Sequence, residues 1–216
     1  MRFTRAFLLL AVCLGAMTTL PSVSYTQESK SALEGLLIRG RGIAVIPHES
    51  ADISAIGGDV DISVSYVPEI DLSWFFTKNI AVELIAAITP HDVDATGTAL
   101  GKVDLGNVWL LPPTVLLQYH HPLENGFKPY VGAGINYTFF LHEDAPGGTV
   151  TDIDYENSFG WALQFGVDYM LDKHWLINLD VKKLFLNTDV SINNGAIRAD
   201  VDIDPWIVGV GIGYRF

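Results

Sequence analysis

The chain is short of three things: cysteine, positive charge and long apolar runs. Its 216 residues hold a single cysteine, Cys13, which excludes an internal disulfide and a cysteine metal cluster. Lysine and arginine number 13 against 25 aspartates and glutamates, a formal net charge of −12. Phosphate backbones are bound by clustered cations, so this balance argues against nucleic acid as a partner. Beyond residue 24 no apolar run approaches the ~18 residues that a transmembrane helix needs. Sustained helical periodicity is missing as well.

The start of the chain accounts for the cysteine. Arg2 and Arg5 form a short basic region, Ala6–Met17 is apolar, and the small residues Ser22 and Ser24 follow. This is the layout of a secretory signal peptide, with cleavage expected after Ser24. The apolar stretch is too short to cross ~30 Å of hydrocarbon as a helix. Residues 1–24 are therefore expected to be removed, and 25–34 to form a periplasmic segment ahead of the folded domain.

What the chain has in abundance is alternation with period two. In Tyr155–Met170, the positions Phe159, Trp161, Leu163, Phe165, Val167 and Tyr169 are apolar. Between them lie Ser158, Gly160, Ala162, Gln164, Gly166 and Asp168. The pattern recurs over Ile80–Ile88, Phe127–Phe139 and Trp206–Phe216. A soluble sandwich also alternates. Here, however, the polar face is rich in glycine, alanine and serine, as a crowded barrel interior requires. Trp74, Trp161, Tyr169, Trp175, Trp206, Tyr214 and Phe216 mark the ends of the apolar faces, like the aromatic girdles of membrane barrels.

Strands are expected near 35–47, 60–76, 80–92, 103–121, 127–142, 153–171, 175–191 and 197–216. Eight is an even number, as single-chain outer-membrane barrels require. The fold expected for 35–216 is thus an all-β, eight-stranded antiparallel transmembrane β-barrel of the outer-membrane type. Short turns at 77–79, 121–126 and 171–174 alternate with longer loops at 48–59, 93–102, 143–152 and 192–196, which are expected to face the cell exterior.

Several stretches together resemble one family. They are Asn79-Ile-Ala-Val-Glu-Leu84, Leu111-Pro-Pro-Thr114, Phe127-Lys-Pro-Tyr-Val-Gly-Ala-Gly-Ile-Asn-Tyr-Thr138, Trp161 with Gly166-Val-Asp-Tyr169, Trp175-Leu176, Asp204-Pro-Trp206 and Gly213-Tyr-Arg-Phe216. The sequence is similar to the outer-membrane protein W (OmpW) family of Gram-negative bacteria, which includes alkane-uptake barrels. The resemblance implies an eight-stranded barrel with a narrow apolar channel, associated with passage of small hydrophobic molecules. The loops, notably the acidic Glu143–Asp152, depart from the family, so substrate preference is not carried over.

Strand phase places Arg39, Arg41, Asp71, Glu83, Gln118, Lys128, Gln164, Asp168, Asn178, Asp180 and Arg215 inside. Buried charges persist only when paired, so these residues are read as a cross-barrel polar network closing the lower lumen. An apolar solute then needs a sideways exit. Pro112 and Pro113 cannot donate to a neighbouring strand. With Pro90 they suggest a lateral opening between strands 80–92 and 103–121, the alternative being a β-bulge that shapes the wall. Trp109, Leu111 and Leu184 are the candidate channel lining. Lys183 lies on an outward face at the far interface, in reach of lipopolysaccharide phosphate.

Adjacent His120 and His121 point to opposite faces of a strand, so no metal site is expected, and no cofactor. No nucleophile–base pair argues for an enzyme. Tyr214 and Phe216, on the last strand, look like the signal read by the barrel-assembly machinery. The expected partners are the lipid bilayer, lipopolysaccharide, that machinery and a small hydrophobic ligand. Two functions remain open: a transport barrel for small hydrophobic molecules, or a non-transporting barrel with a structural, adhesive or surface-interaction role.

Overall fold

The structure is a computed structural model that describes residues 33–54 and 57–216. The expected signal peptide lies outside the described residues. The described residues form fifteen strands: β1 (Leu36–Ile46), β2 (Ser50–Ile53), β3 (Asp59–Ile62), β4 (Ser65–Phe75), β5 (Ile80–Ala87), β6 (Thr89–Thr98), β7 (Gly101–Leu111), β8 (Thr114–His120), β9 (Phe127–Asp144), β10 (Ile153–Tyr155), β11 (Ser158–Met170), β12 (Trp175–Phe185), β13 (Asn187–Ile192), β14 (Ile197–Asp202) and β15 (Trp206–Arg215).

Eight of them make the closed wall. β1, β4, β5, β8, β9, β11, β12 and β15 pair in that order, all antiparallel. The ring shuts where β15 returns to β1, from Leu37↔Arg215 to Ile46↔Trp206. Closure is what hydrocarbon demands, because a backbone N–H or C=O left unpaired there costs several kcal/mol. The expected fold class is therefore observed.

Beyond the wall the strands continue as two separate sheets. One is β3, β6, β7 and the far half of β9; the other is β10, β13, β14 and β2. This corrects the expected loops. Residues 93–102 are mostly the β6–β7 hairpin, and 48–59 contains β2. Ile53, Val93, Val190 and Val201, from both sheets, are buried in one apolar cluster. Alternation therefore persists past the membrane, with the apolar face now turned inward.

Along the wall the faces are reversed. Leu163, Phe165, Val210 and Ile212 are 53–60% exposed, while Ala162, Gln164 and Asp180 are buried. That outward apolar belt is a lipid-facing surface. Aromatic rings edge it: Trp175 and Tyr214 contact at 5.1 Å, and Phe127 and Tyr169 at 4.7 Å, at the turn end. Phe159 and Trp161 contact at 5.9 Å towards the extended end.

Inward glycines make room for what fills the wall. A Cβ on Gly166 would run into the Tyr130 hydroxyl, and one on Gly211 into the Gly40 carbonyl. Gly42, by contrast, faces outward with nothing within 4 Å. Gly166→Val is thus expected to prevent folding or cost about 3 kcal/mol as overpacking, whereas Gly42→Val folds normally. Unfolding of the purified barrels in bilayers, followed by gel mobility with and without heating, checks this.

Candidate functional site: an apolar chamber above an ionic floor

Near the turn end the lumen is closed by charge. Arg39 Nε lies 2.9 Å from Asp71 Oδ1, its Nη2 lies 2.6 Å from Glu83 Oε1, and its Nη1 lies 3.4 Å from Asp168. Arg41 reaches Glu69 at 2.7 Å, Glu83 at 2.8 Å and Asp71 at 2.9 Å, and donates to Asn178 at 2.8 Å. Gln118 donates to Glu83 and to Gln164, each at 2.8 Å, and Gln164 donates to Asp180 at 2.8 Å. Both guanidiniums are fully buried as side chains. Each is crossed by carboxylates from more than one strand, as a charge out of water requires.

Nine of the eleven residues expected in the polar network meet here. Lys128 and Arg215 do not. They are half-buried nearer the turn end, and Arg215 lies 4.3 Å over the Phe75 ring. Five participants were not foreseen: Glu69, Ser73, His120, Tyr130 and Lys182. Lys182 Nζ is 2.8 Å from Glu69 and 2.9 Å from Asp180. The Tyr130 hydroxyl donates to Asp180 at 2.6 Å. The signal was present, since Glu69, Lys182 and Tyr130 are each two residues from a predicted inward position. His120 is buried and stacks 4.7 Å from Tyr130, while His121 is exposed. The pair diverges as expected, and among the described residues no cluster of metal-ligating type occurs.

Above the floor is an apolar chamber of about 60 Å³, lined by Ile43, Ile85, Val108, Leu110, Leu184 and Ile207, among others from both sheets. Glu69 and Lys182 form its base. The lining requires a correction. Leu184 faces the chamber, but Trp109 is 43% exposed and turned outward, and Leu111 is absent from the lining. The reason is parity. Ile85↔Thr114 and Thr89↔Leu110 keep one register across the two prolines, so Trp109 and Leu111 share the outward face of Val115 and Leu117. Val108 and Leu110 take the place assigned to them.

His91, one residue beyond the level of Trp109, also lines the chamber. Its Nδ1 lies 2.7 Å from the Ser63 carbonyl. Burial among apolar neighbours holds its imidazole below the ordinary value, so the chamber wall gains no charge near neutral pH.

The wall is incompletely laddered at one height. Between Ile85↔Thr114 and Thr89↔Leu110, residues 86–88 face 111–113 with no ladder pair. The carbonyls of Pro112 and Pro113 are taken from the other side, by Asn136 Nδ2 at 3.2 and 3.4 Å, and Tyr137 N–H donates to Pro113 at 3.1 Å. Pro90 does not belong to the break: it is exposed and pairs with Trp109 in the ladder. Arg39→Met would leave Asp71 and Glu83 buried without this partner. It is expected to destabilise the barrel by about 3–5 kcal/mol, read by denaturant unfolding in lipid.

Comparison with known proteins agrees with this architecture. The chain is 42% identical to an uncharacterized outer-membrane protein, y4mB, of Sinorhizobium fredii, over 98% of this chain and 93% of that one. It is 37% identical to outer membrane protein W of Vibrio cholerae, over 85% and 89%. Among solved structures it is similar to the outer membrane protein OprG of Pseudomonas aeruginosa, with a TM-score of 0.76 and 32% identity over 85% of this chain and 96% of that one. Residues 34–216 match the model of the OmpW family, and the chain is therefore a member of that family of bacterial outer-membrane β-barrels.

Proposed function

We propose that the barrel takes small hydrophobic molecules from the cell exterior into its chamber and releases them sideways into the membrane. The single observation behind this reading is an apolar chamber standing on a closed ionic floor. The chamber's lining is almost wholly carbon, which suits a ligand without hydrogen-bonding groups. The floor below is built from buried ion pairs, and an apolar solute gains nothing by crossing it. The break at Ala86–Ile88 and Leu111–Pro113 supports a lateral route, because strands without ladder bonds separate at lower cost.

The surroundings fit the same reading. Lys183 lies beside the Trp206 ring, 5.3 Å from its centre, at a height suited to a lipopolysaccharide phosphate. Tyr214 and Phe216 face outward at the end of the chain, where the barrel-assembly machinery would read them.

The test is transfer of labelled naphthalene in cells or vesicles carrying the barrel. Val190, buried in the chamber wall on β13, lies away from the proline break. Val190→Trp fills the chamber and is expected to abolish protein-dependent transfer in a barrel that still folds. Naphthalene is expected to outcompete a hydroxylated analogue, because an unpaired buried hydroxyl costs roughly 1–3 kcal/mol, or about five- to 150-fold. Equal transfer with and without the protein, joined to a defect in adhesion or envelope integrity, favours the non-transporting reading instead.

A further inference from the structure

A second pocket lies on the outer face of the barrel, where β11 and β12 hand over to β10 and β13. The β11–β12 ladder ends at Trp161↔Phe185, and the β10–β13 ladder begins at Tyr155↔Val190. Residues 156–160 therefore face residues 186–189, one residue more on the first side than on the second. The surplus shows in the burial phase. Tyr155 and Ser158 are buried, and Glu156 and Asn157 between them both turn outward. A bulge of this kind re-aims side chains. The result is an open pocket of about 230 Å³, lined by Glu156, Asn157, Phe159, Asn187, Asp189 and Asp200, among others.

The frame of this pocket is fastened, while its polar groups are unused. Glu156 N–H donates to the Asp189 carbonyl at 3.0 Å, and Thr188 Oγ1 donates to the Glu156 carbonyl at 2.7 Å. Asn157 Oδ1 accepts from the Phe140 N–H at 3.1 Å, which fixes its amide with Nδ2 left to donate. Among the described residues, the side chains of Glu156, Asn187, Asp189 and Asp200 make no hydrogen bond or ion pair, and all four are exposed. Asp189 and Asp200 stand directly opposite each other in the β13–β14 ladder. Like charges so placed cost stability, and they repel a phosphate. Carboxylates can accept hydroxyl hydrogens, and the two amides can both donate and accept. One side of the pocket is aromatic. Phe159 is 54% exposed, with Trp161 edge-on at 5.9 Å. A ligand with many hydroxyls and one C–H face matches this set, and a sugar ring has both.

The height of the pocket selects the source of that sugar. Phe159 and Trp161 edge the lipid-facing belt at its extended end, so the pocket begins where hydrocarbon stops. Lys183 and Asn187 are four residues apart and share the outward face, separated by about 13 Å at ~3.3 Å per residue. Lys183 is held by the Asp204 carbonyl and the Trp206 ring. A cation nearer the hydrocarbon and a hydroxyl-accepting pocket beyond it follow the order of phosphate and sugar in a glycolipid headgroup. We infer that the pocket binds a neutral sugar ring of lipopolysaccharide. The C–H face of the ring lies on Phe159, and its hydroxyls meet Asn157, Asn187 and Asp189. Lys183 meets a phosphate of the same molecule. None of these residues lines the chamber, so the site serves a transporting and a non-transporting barrel alike.

The experiment uses the full barrel in phosphatidylcholine nanodiscs, titrated with phosphate-free core oligosaccharide released from lipopolysaccharide. Backbone amide NMR shifts report binding. Saturable shifts centred on Asn157, Phe159, Asn187 and Asp189 are expected. Asn187→Leu is expected to weaken binding about tenfold, as loss of a hydrogen bond does, and Phe159→Ala to weaken it as well. Both side chains are exposed, so both variants are expected to fold, which gel mobility with and without heating checks. In nanodiscs doped with whole lipopolysaccharide, the same amides are expected to shift with no sugar added. Nanodiscs doped with lipid A alone are expected to leave them in place. No shift with the oligosaccharide overturns the inference, as do shifts that both variants leave intact. Shifts with calcium alone, and none with the oligosaccharide, overturn it in favour of a cation site. Shifts with free oligosaccharide but none in lipopolysaccharide nanodiscs overturn the assignment to lipopolysaccharide.

Discussion

Two guanidiniums stacked in a narrow tube decide what the rest of the barrel does. Arg39 and Arg41 occupy successive inward positions of β1 and receive carboxylates from β4, β5, β11 and β12. An eight-stranded barrel is just wide enough for side chains to fill it, so the pair spans the lumen. Burying two cations is unfavourable unless each is matched, and each lies within 4 Å of at least three carboxylates. Arg39, Arg41 and Lys182 oppose Glu69, Asp71, Glu83, Asp168 and Asp180.

Everything above the floor follows from its being shut. The lumen opens away from it into a carbon-lined chamber whose walls are two sheets that part beyond the membrane. On the proposed reading, a solute in that chamber faces bound ions below and lipid at the sides. The wall is weakest at the height of the chamber, where β5 gives way to β6 and β7 to β8. The fold thus combines a rigid, ion-bound lower half with a less tightly laddered upper half. Inward glycines belong to the same logic, since Gly166 and Gly211 vacate the volume that Tyr130 and Arg41 occupy.

Much of this was legible in the chain. Period-two alternation gave the eight wall strands, and phase gave nine of the network residues, because a slip of one residue would reverse every side chain. Glu69 and Lys182 were equally visible by phase, two residues from Asp71 and Asp180. Both lie well inside the expected strands 60–76 and 175–191 and were not named. Trp109 and Leu111 were misplaced for a different reason. Two prolines suggested a disrupted strand, yet they preserve parity, and an outward tryptophan follows from Val115 and Leu117. The extended sheets were hidden because their polar, glycine-bearing segments, such as Val93–Gly101, look like loops until their partners are known.

In the proposed route the floor is closed to apolar solutes and the wall is not. The most direct measurement follows labelled naphthalene from the outer side of vesicles in which the barrel has one orientation. Quenchers are placed either on the lipid chains or in the enclosed water. In the wild-type barrel, quenching by the lipid is expected first, with quenching from the enclosed water lagging behind. Prompt arrival in the enclosed water, with no prior contact with lipid, would contradict it.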